Sequence, residues 1–158
     1  LLAAATLVAW AAPLSAQGTE SSSGAIDAQV WTTVSTTVVA HDLAGMAATY
    51  HPDAVVVTPQ GTMPIARALA GWGQSMEAMK RNGSRASVAF RFSKRQDGAE
   101  TAFEPGMFNY AVTDSAGATT RYIIPFEALL VRKNDRWLIV MERQFAAADE
   151  AAWNAMAR

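Results

Sequence analysis

The chain has 158 residues, of which 51% are hydrophobic and 17% charged, and its formal net charge is -1. This length is enough for one domain with a sizeable core. The near-zero charge without a long basic run excludes an electrostatic surface for nucleic acid. The absence of cysteine excludes disulfides, zinc–thiolate sites and thiol nucleophiles.

The first 16 residues predict a secretory signal peptide. An apolar run at 1–12 is followed by Pro13 and by the small residues Ser15 and Ala16, as in an h-region and its cleavage site. The run is too short for an ordinary membrane span. No initiator Met and no basic segment precede it, so we expect a sequence truncated at its start and cleavage after Ala16. The mature protein is then exported, to a bacterial periplasm or the medium, without a stable membrane span.

The rest of the chain predicts a flexible leader at 17–25, one α+β domain at 26–146, and a short helix or tail at 147–158. Apolar residues recur every four positions in 26–38 and predict a helix. Asp42 is a typical N-cap for a second helix, with Tyr50 on its apolar side, and Pro64 opens a third that Asn82-Gly83 ends. The strands are predicted at 55–57, 85–95, 100–113, 118–133 and 136–146. Three N-terminal helices therefore pack on one face of a curved antiparallel sheet.

Four motifs, taken in chain order, carry a family resemblance. They are Asp-Leu at 42–43, Tyr-His-Pro-Asp-Ala-Val at 50–55, GAETAFEPGMFNYAV at 98–112, and a charged hairpin before Trp137. This order resembles the SnoaL-like branch of the nuclear transport factor 2-like superfamily over nearly all of 26–146. Ala66 departs from it, since the family usually has Gly there. The resemblance implies a cone-shaped half-barrel, commonly a homodimer, with a pocket between sheet and helices. It does not fix the activity, because members include isomerases, cyclases, dehydratases, hydrolases and binding domains.

Ketosteroid isomerase, an enzyme of this superfamily, offers a residue test. The resemblance implies a helix-one Tyr, an Asp base after the first strand and a protonated Asp, at positions that correspond here to Val34, Thr58 and Glu127. Only Glu127 keeps a carboxyl group. Val34 cannot donate a proton, and an unactivated Thr58 is no base near neutral pH. We therefore do not expect a steroid isomerase with that residue set.

Hairpin register predicts a row of charged side chains across four strands. With Asn134-Asp135 as a two-residue turn, Lys133 faces Arg136 and Glu127 lies opposite Glu142. The same counting adds Glu104 beside Glu127 and Arg91 beside Glu104, with a bulge expected at Pro105-Gly106. Two interpretations stay open. The row is a solvated outer stripe while the Phe-rich face forms the core, or the row lines the pocket while the Phe-rich face forms a dimer interface.

The favoured hypothesis is an exported homodimer that binds a small, mostly apolar molecule, with Glu127 as polar anchor. Its predicted ligand-binding residues are Val34, Thr58, Trp72, Glu127 and Val140. One alternative is an isomerase, dehydratase or hydrolase whose Glu127–Glu142 pair shares a proton for acid/base catalysis. Another is a dimerisation module without a ligand.

No cofactor and no metal are expected. His41 and His51 are the only histidines, and neither has a second ligand at a recognised metal spacing. Trp31, Tyr50 and Tyr110 are predicted to be core or pocket wall, because a stacking site for nucleic acid would need basic neighbours.

Overall fold

The computed structural model of the protein describes residues 22–156, so the predicted signal peptide at 1–16 lies outside the described residues. The helices are α1 (Ser23–Ile26), a π-helical segment (Asp27–Trp31), α2 (Thr32–Ala40), α3 (Leu43–Ala47), α4 (Ile65–Asn82) and α5 (Glu150–Ala155). The strands are β1 (Tyr50–Thr58), β2 (Gly61–Pro64), β3 (Arg85–Phe92), β4 (Gln96–Asp97), β5 (Thr101–Thr113), β6 (Thr119–Lys133) and β7 (Arg136–Gln144). This arrangement of N-terminal helices on a curved, unclosed sheet confirms the predicted α+β class.

The helix ends follow the capping signals in the sequence. The Asp42 side chain accepts a 2.9 Å hydrogen bond from the Gly45 N–H at the start of α3. Pro64 precedes α4, and Gly83 ends it with a φ of 74°, a conformation that favours glycine. Tyr50, which was predicted on the second helix, instead begins β1. It lies in the sheet because Ile139 N–H donates to the Thr49 carbonyl at 2.9 Å and holds this segment against β7.

The sheet has the strand order β2-β1-β7-β6-β5-β3, and the short β4 pairs with β5. The predicted antiparallel meander is present, since β3, β5, β6 and β7 pair antiparallel in turn. Strand β1 differs from this pattern because it joins β7 in parallel. Asn134 and Asp135 have φ of 49° and 61° and form the predicted two-residue turn, with Lys133 opposite Arg136.

A β-bulge at Val140 changes the face on which Glu142 lies. Leu130 pairs with Ile139 but Leu129 pairs with Met141, so Val140 has no partner of its own. Beyond this extra residue Glu142 lies opposite Ala128, and the predicted Glu127–Glu142 pair is wrong. Because side chains alternate along a strand, the one-residue shift moves Glu142 to the face opposite that of Glu127.

Three further predictions for these strands are also wrong. The loop between β5 and β6 is one residue longer than predicted, because Thr113 pairs with Thr119, and Glu104 therefore lies opposite Ala128. β5 pairs with β6 without interruption, so the bulge expected at Pro105-Gly106 is absent there. Strand β3 ends at Phe92 before the chain enters β4, and Arg91 lies opposite Met107.

Neither assignment of the sheet faces holds as predicted, because Glu104 and Glu142 share the helix-covered face with Phe90, Phe92 and Phe126. The centre of the Trp31 ring lies 4.8 to 5.5 Å from the ring centres of Phe90, Phe92 and Phe126. These four rings pack together in the core on that face. Ile139 is fully buried in this core. The Phe-rich face is thus core, and Glu127 lies on the other face of the sheet, which we call the outer face.

The C-terminal segment returns to the outer face. Ala148 N–H donates to the Ile123 carbonyl at 2.8 Å, and α5 then reaches β3. There the Arg91 guanidinium lies 4.2 Å from the centre of the Trp153 ring and donates to the Trp153 carbonyl. Asn109 and Ile123, both on this face, are buried. Helix α5 thus contacts β3 on the outer face through Arg91.

Candidate functional site

A cavity of about 320 Å³ lies between the helices and the helix-covered face of the sheet. Val34 and Val38 of α2 and Trp72 and Met76 of α4 form part of its helical wall. Its volume lies near the lower end of the ~300–1,000 Å³ typical of small-molecule sites. The wall is apolar or aromatic at most positions, and Glu142 is the one charged residue among the wall residues that the structure describes.

Within residues 22–156, Glu142 has two hydrogen-bond partners, one on each carboxylate oxygen. The Tyr50 hydroxyl donates to its Oε2 at 2.6 Å, and the Gln144 amide Nε2 donates to its Oε1 at 2.7 Å. The Glu142 residue is only 8% exposed. No Lys, Arg or His side chain of residues 22–156 forms an ion pair with it. A buried carboxylate without a counter-ion is costly unless hydrogen bonds or a ligand compensate it.

Tyr50 keeps its proton in this arrangement. Burial raises the pKa of Tyr50 well above its ordinary value, and the negative charge of Glu142 and the hydrogen bond to it raise the pKa further. The phenol therefore acts as a donor to Glu142. Its only proton is used in that bond, so it has none left for a ligand while the bond persists.

Glu104 is a second buried carboxylate on the same face, and it has a different environment. It is fully buried, and its Oε2 accepts a 2.6 Å hydrogen bond from Trp31 Nε1. Its Oε1 accepts a 2.7 Å bond from the Arg95 guanidinium, which also pairs with Asp27 at 2.8 Å. Trp31 ends the π-helical segment, and this group of contacts fastens that segment to β5. Glu104 is thus neutralised within the protein, whereas Glu142 faces the cavity.

The predicted binding residues fall in different places. Val34 and Trp72 line the cavity. Thr58 lines a neighbouring cavity of about 230 Å³, which shares Trp72 and Gln144 with the first. Glu127 and Val140 are in neither wall. Glu127 lies on the outer face with its Oε2 3.6 Å from Arg143 Nη1, and Val140 is the bulged residue.

The sequence did not predict the roles of two polar residues of the site, Tyr50 and Gln144. Tyr50 was expected as wall, but its bond to Glu142 spans 92 positions of the chain and leaves no local signal. Gln144 was not considered. The spacing of Glu142 and Gln144 could have indicated it, because residues two apart on a strand point to the same face.

The described part of the chain contains no cluster of three or more His, Asp or Glu side chains suited to a metal ion. Among residues 22–156, no helix combines the length and apolar character needed to cross a membrane.

Comparisons with known proteins identify the fold. No protein-family model matches the sequence, and no curated protein sequence matches it either. A conserved protein from Planctomyces limnophilus aligns with a TM-score of 0.66 at 13% identity, over 80% of this chain and 98% of that one. A ketosteroid isomerase-like protein from Erwinia carotovora atroseptica aligns with a TM-score of 0.57 at 17% identity, over 81% of this chain and 97% of that one.

A third structure, a nuclear transport factor 2-like superfamily protein from Salmonella enterica serovar Typhimurium, aligns with a TM-score of 0.58 at 12% identity, over 75% of this chain and 87% of that one. These TM-scores show a shared architecture, and the low identities leave the activity open. The chain therefore has the fold of the nuclear transport factor 2-like superfamily.

Proposed function

We propose that the protein binds a small, mostly apolar molecule in the cavity between sheet and helices, with the polar group of that molecule at Glu142. The observation that carries the proposal is a single carboxylate without a counter-ion among residues 22–156, in a wall that is apolar or aromatic at most positions. Ligand sites commonly combine an apolar lining with a few placed polar groups in this way.

Glu142 replaces Glu127 as the proposed anchor. Glu127 is on the outer face, where its carboxylate lies near Arg143 and about a third of its side chain is exposed to solvent. The argument that singled out Glu127, a carboxylate among apolar strand residues, applies equally to Glu142. The bulge at Val140 determines which of the two faces the cavity.

Dye binding with a blocked cavity tests the proposal. Ser75 is an exposed residue of the cavity wall on α4, and Ser75→Trp should fill the cavity without replacing a core residue. Gln74→Trp, at the adjacent exposed position outside the wall, is the matched control. The neutral dye N-phenylnaphthylamine should gain fluorescence with the unmodified protein and with Gln74→Trp, and lose most of it with Ser75→Trp. Equal fluorescence of all three, or no gain with the unmodified protein, would reject the binding function.

An acid/base enzyme is the second candidate, and the same carboxylate favours it. A cavity-facing carboxylate can accept a proton from a bound substrate, with Tyr50 and Gln144 holding it in place. Mass spectrometry of small molecules that co-purify, before and after incubation with fresh protein, separates the two. A recovered molecule that is unchanged supports binding, whereas conversion that Glu142→Gln abolishes supports the enzyme.

Export and dimerisation complete the proposal. The sequence of 1–16 supports export, and N-terminal sequencing of secreted protein should find Gln17 as the first residue.

A row of Val55, Met141 and Leu129 across three neighbouring strands supports a dimer, because it places apolar side chains on the outer face. Val55 and Leu129 are 38% and 39% exposed.

A further inference from the structure

We propose that the ligand is a protonated amine, with a primary or secondary ammonium group that binds Glu142 and an apolar body that fills the aromatic part of the cavity. This inference rests on the proposed binding function and specifies its polar group. Three observations carry it: the charge of the wall, the hydrogen-bonding groups left unused around Glu142, and the rings beside it.

The first observation is the charge of the wall. With Glu142 ionised, the described wall carries one negative charge and no positive one. The other buried carboxylate, Glu104, has the Arg95 guanidinium at 2.7 Å, so the protein itself supplies the counter-ion of Glu104. At Glu142 no side chain of residues 22–156 supplies one, and a cationic group of a ligand would stabilise the buried charge.

The second observation concerns the hydrogen-bonding groups of the wall, where three donors are already engaged. The Tyr50 hydroxyl is bound to Glu142, the Ser75 hydroxyl donates to the Gly71 carbonyl at 3.2 Å, and Trp31 Nε1 donates to Glu104. A carboxylate has about four acceptor positions, and Tyr50 and Gln144 occupy two of those on Glu142. The carboxylate therefore offers two acceptor positions to a ligand, which fits N–H groups, and its negative charge disfavours a carboxylate or phosphate.

The third observation is the pair of rings next to the carboxylate. The Tyr50 ring, whose hydroxyl binds Glu142, lies with its centre 6.0 Å from that of Trp72 at an angle of 47°. A cation within about 6 Å of such a ring is attracted by its π electrons, most strongly by Trp. A quaternary ammonium would share this attraction but would leave the free acceptor positions of Glu142 without partners, so we assign a nitrogen that carries N–H.

Displacement of the bound dye by matched probes tests the assignment. Phenethylamine is cationic at neutral pH, phenethyl alcohol has the same shape without the charge, and the N,N,N-trimethyl derivative of phenethylamine keeps the charge without N–H. We expect phenethylamine to displace N-phenylnaphthylamine at a concentration roughly tenfold or more below that of the alcohol, because its bond to the carboxylate is charge-assisted. Glu142→Gln should abolish this preference, and Glu127→Gln, the same change on the outer face, should keep it.

Several results would overturn the inference. Equal displacement by amine and alcohol would reject the cation, and a preference for the amine that survives Glu142→Gln would reject the anchor. Tighter binding of the trimethyl derivative than of phenethylamine would reject the N–H assignment. If circular dichroism shows that Glu142→Gln is unfolded, the amine and alcohol comparison on the unmodified protein decides. Dye binding that Ser75→Trp blocks, without a preference for the amine, would leave the binding function standing and remove only this inference.

Discussion

The hydroxyl of Tyr50 donates a 2.6 Å hydrogen bond to Oε2 of Glu142 and thereby joins β1 to β7 inside the cavity. These two strands pair in parallel, with an irregular register between Tyr50 and Val55. The side-chain bond therefore supports the sheet where its backbone ladder is interrupted, and it holds the carboxylate in one orientation towards the cavity.

Tyr50→Phe should destabilise the protein by about 1.5–3 kcal/mol, the usual contribution of a hydrogen bond to a charged group. The phenyl ring keeps the packing against Trp72 while Glu142 loses one of its two donors. Tyr110→Phe is the matched control, because the Tyr110 hydroxyl has only a long 3.8 Å contact with Met79 Sδ, and we expect a cost below about 1 kcal/mol. Urea denaturation at neutral pH measures both variants. Equal costs would contradict the assigned strength of the Tyr50–Glu142 bond.

Stability should fall at alkaline pH because of Tyr50. Burial raises the pKa of Tyr50 in the folded state, and Glu142 adds to the rise, so the folded state keeps the phenolic proton longer than the unfolded chain does. The contribution is fully present below the unfolded pKa of about 10 and is lost as pH rises towards the folded value. The slope approaches about 1.4 kcal/mol per pH unit. Urea denaturation at a series of alkaline pH values should show a shallower decline for Tyr50→Phe than for the unmodified protein, and parallel curves would refute this linkage.

Arg95→Met should be one of the most damaging substitutions. It leaves the fully buried Glu104 carboxylate without its guanidinium partner, which costs about 3–5 kcal/mol for a buried pair. Arg132→Met is the control, because Arg132 pairs with Asp135 at 2.9 Å on the surface and such pairs contribute at most about 1 kcal/mol. Thermal and urea unfolding compare the two. A similar small loss for both would mean that Glu104 finds another partner when Arg95 is removed.

Two glycine substitutions should change the free energy of unfolding in opposite directions. A methyl group on Gly106 would overlap the Arg91 carbonyl oxygen on the neighbouring strand, so Gly106→Ala should cost about 1–3 kcal/mol through forced backbone shifts. A methyl group on Gly71, within α4, would meet nothing within 4 Å, and Gly71→Ala should stabilise by about 0.5–1 kcal/mol. Urea denaturation gives both values, and a stabilising Gly106→Ala would contradict the close approach of β3 and β5.

Leu129→Glu should convert the proposed dimer to a monomer without unfolding it, because Leu129 is an exposed member of the apolar row on the outer face. Ile139→Asp is unsuitable for this test, since the structure places Ile139 in the core, where the substitution should unfold the protein. Light scattering with circular dichroism measures mass and folding together. A folded monomer for the unmodified protein at micromolar concentration would reject the dimer.

Local signals predicted the fold well but not the site. The turn at Asn134-Asp135, the cap at Asp42 and the end of α4 at Gly83 each depend on a few adjacent residues with strong conformational preferences. The bulge at Val140 has no such signal, because Val is a good strand residue and nothing beside it indicates an extra position.

That single unpredicted residue determined which glutamate faces the cavity. When residue pairs are counted from the correctly predicted turn, the register agrees with the structure as far as Leu130 and Ile139. Beyond that pair the counted register is wrong by one residue. The error placed Glu142 on the same face as Glu127, whereas the bulge puts the two on opposite faces, since strand faces alternate with every residue. The bond between Tyr50 and Glu142 depends on tertiary structure alone, so only the folded chain could reveal it.

The helix α5 makes the end of the chain part of the sheet's outer surface. Arg91 contacts both the Trp153 ring and the carbonyl groups of Trp153 and Met156, so the last described turn is held by a residue of β3. A truncation before Trp153 would remove these contacts and release the Arg91 guanidinium. A deletion that removes α5 should therefore show up as a loss of cooperativity in unfolding.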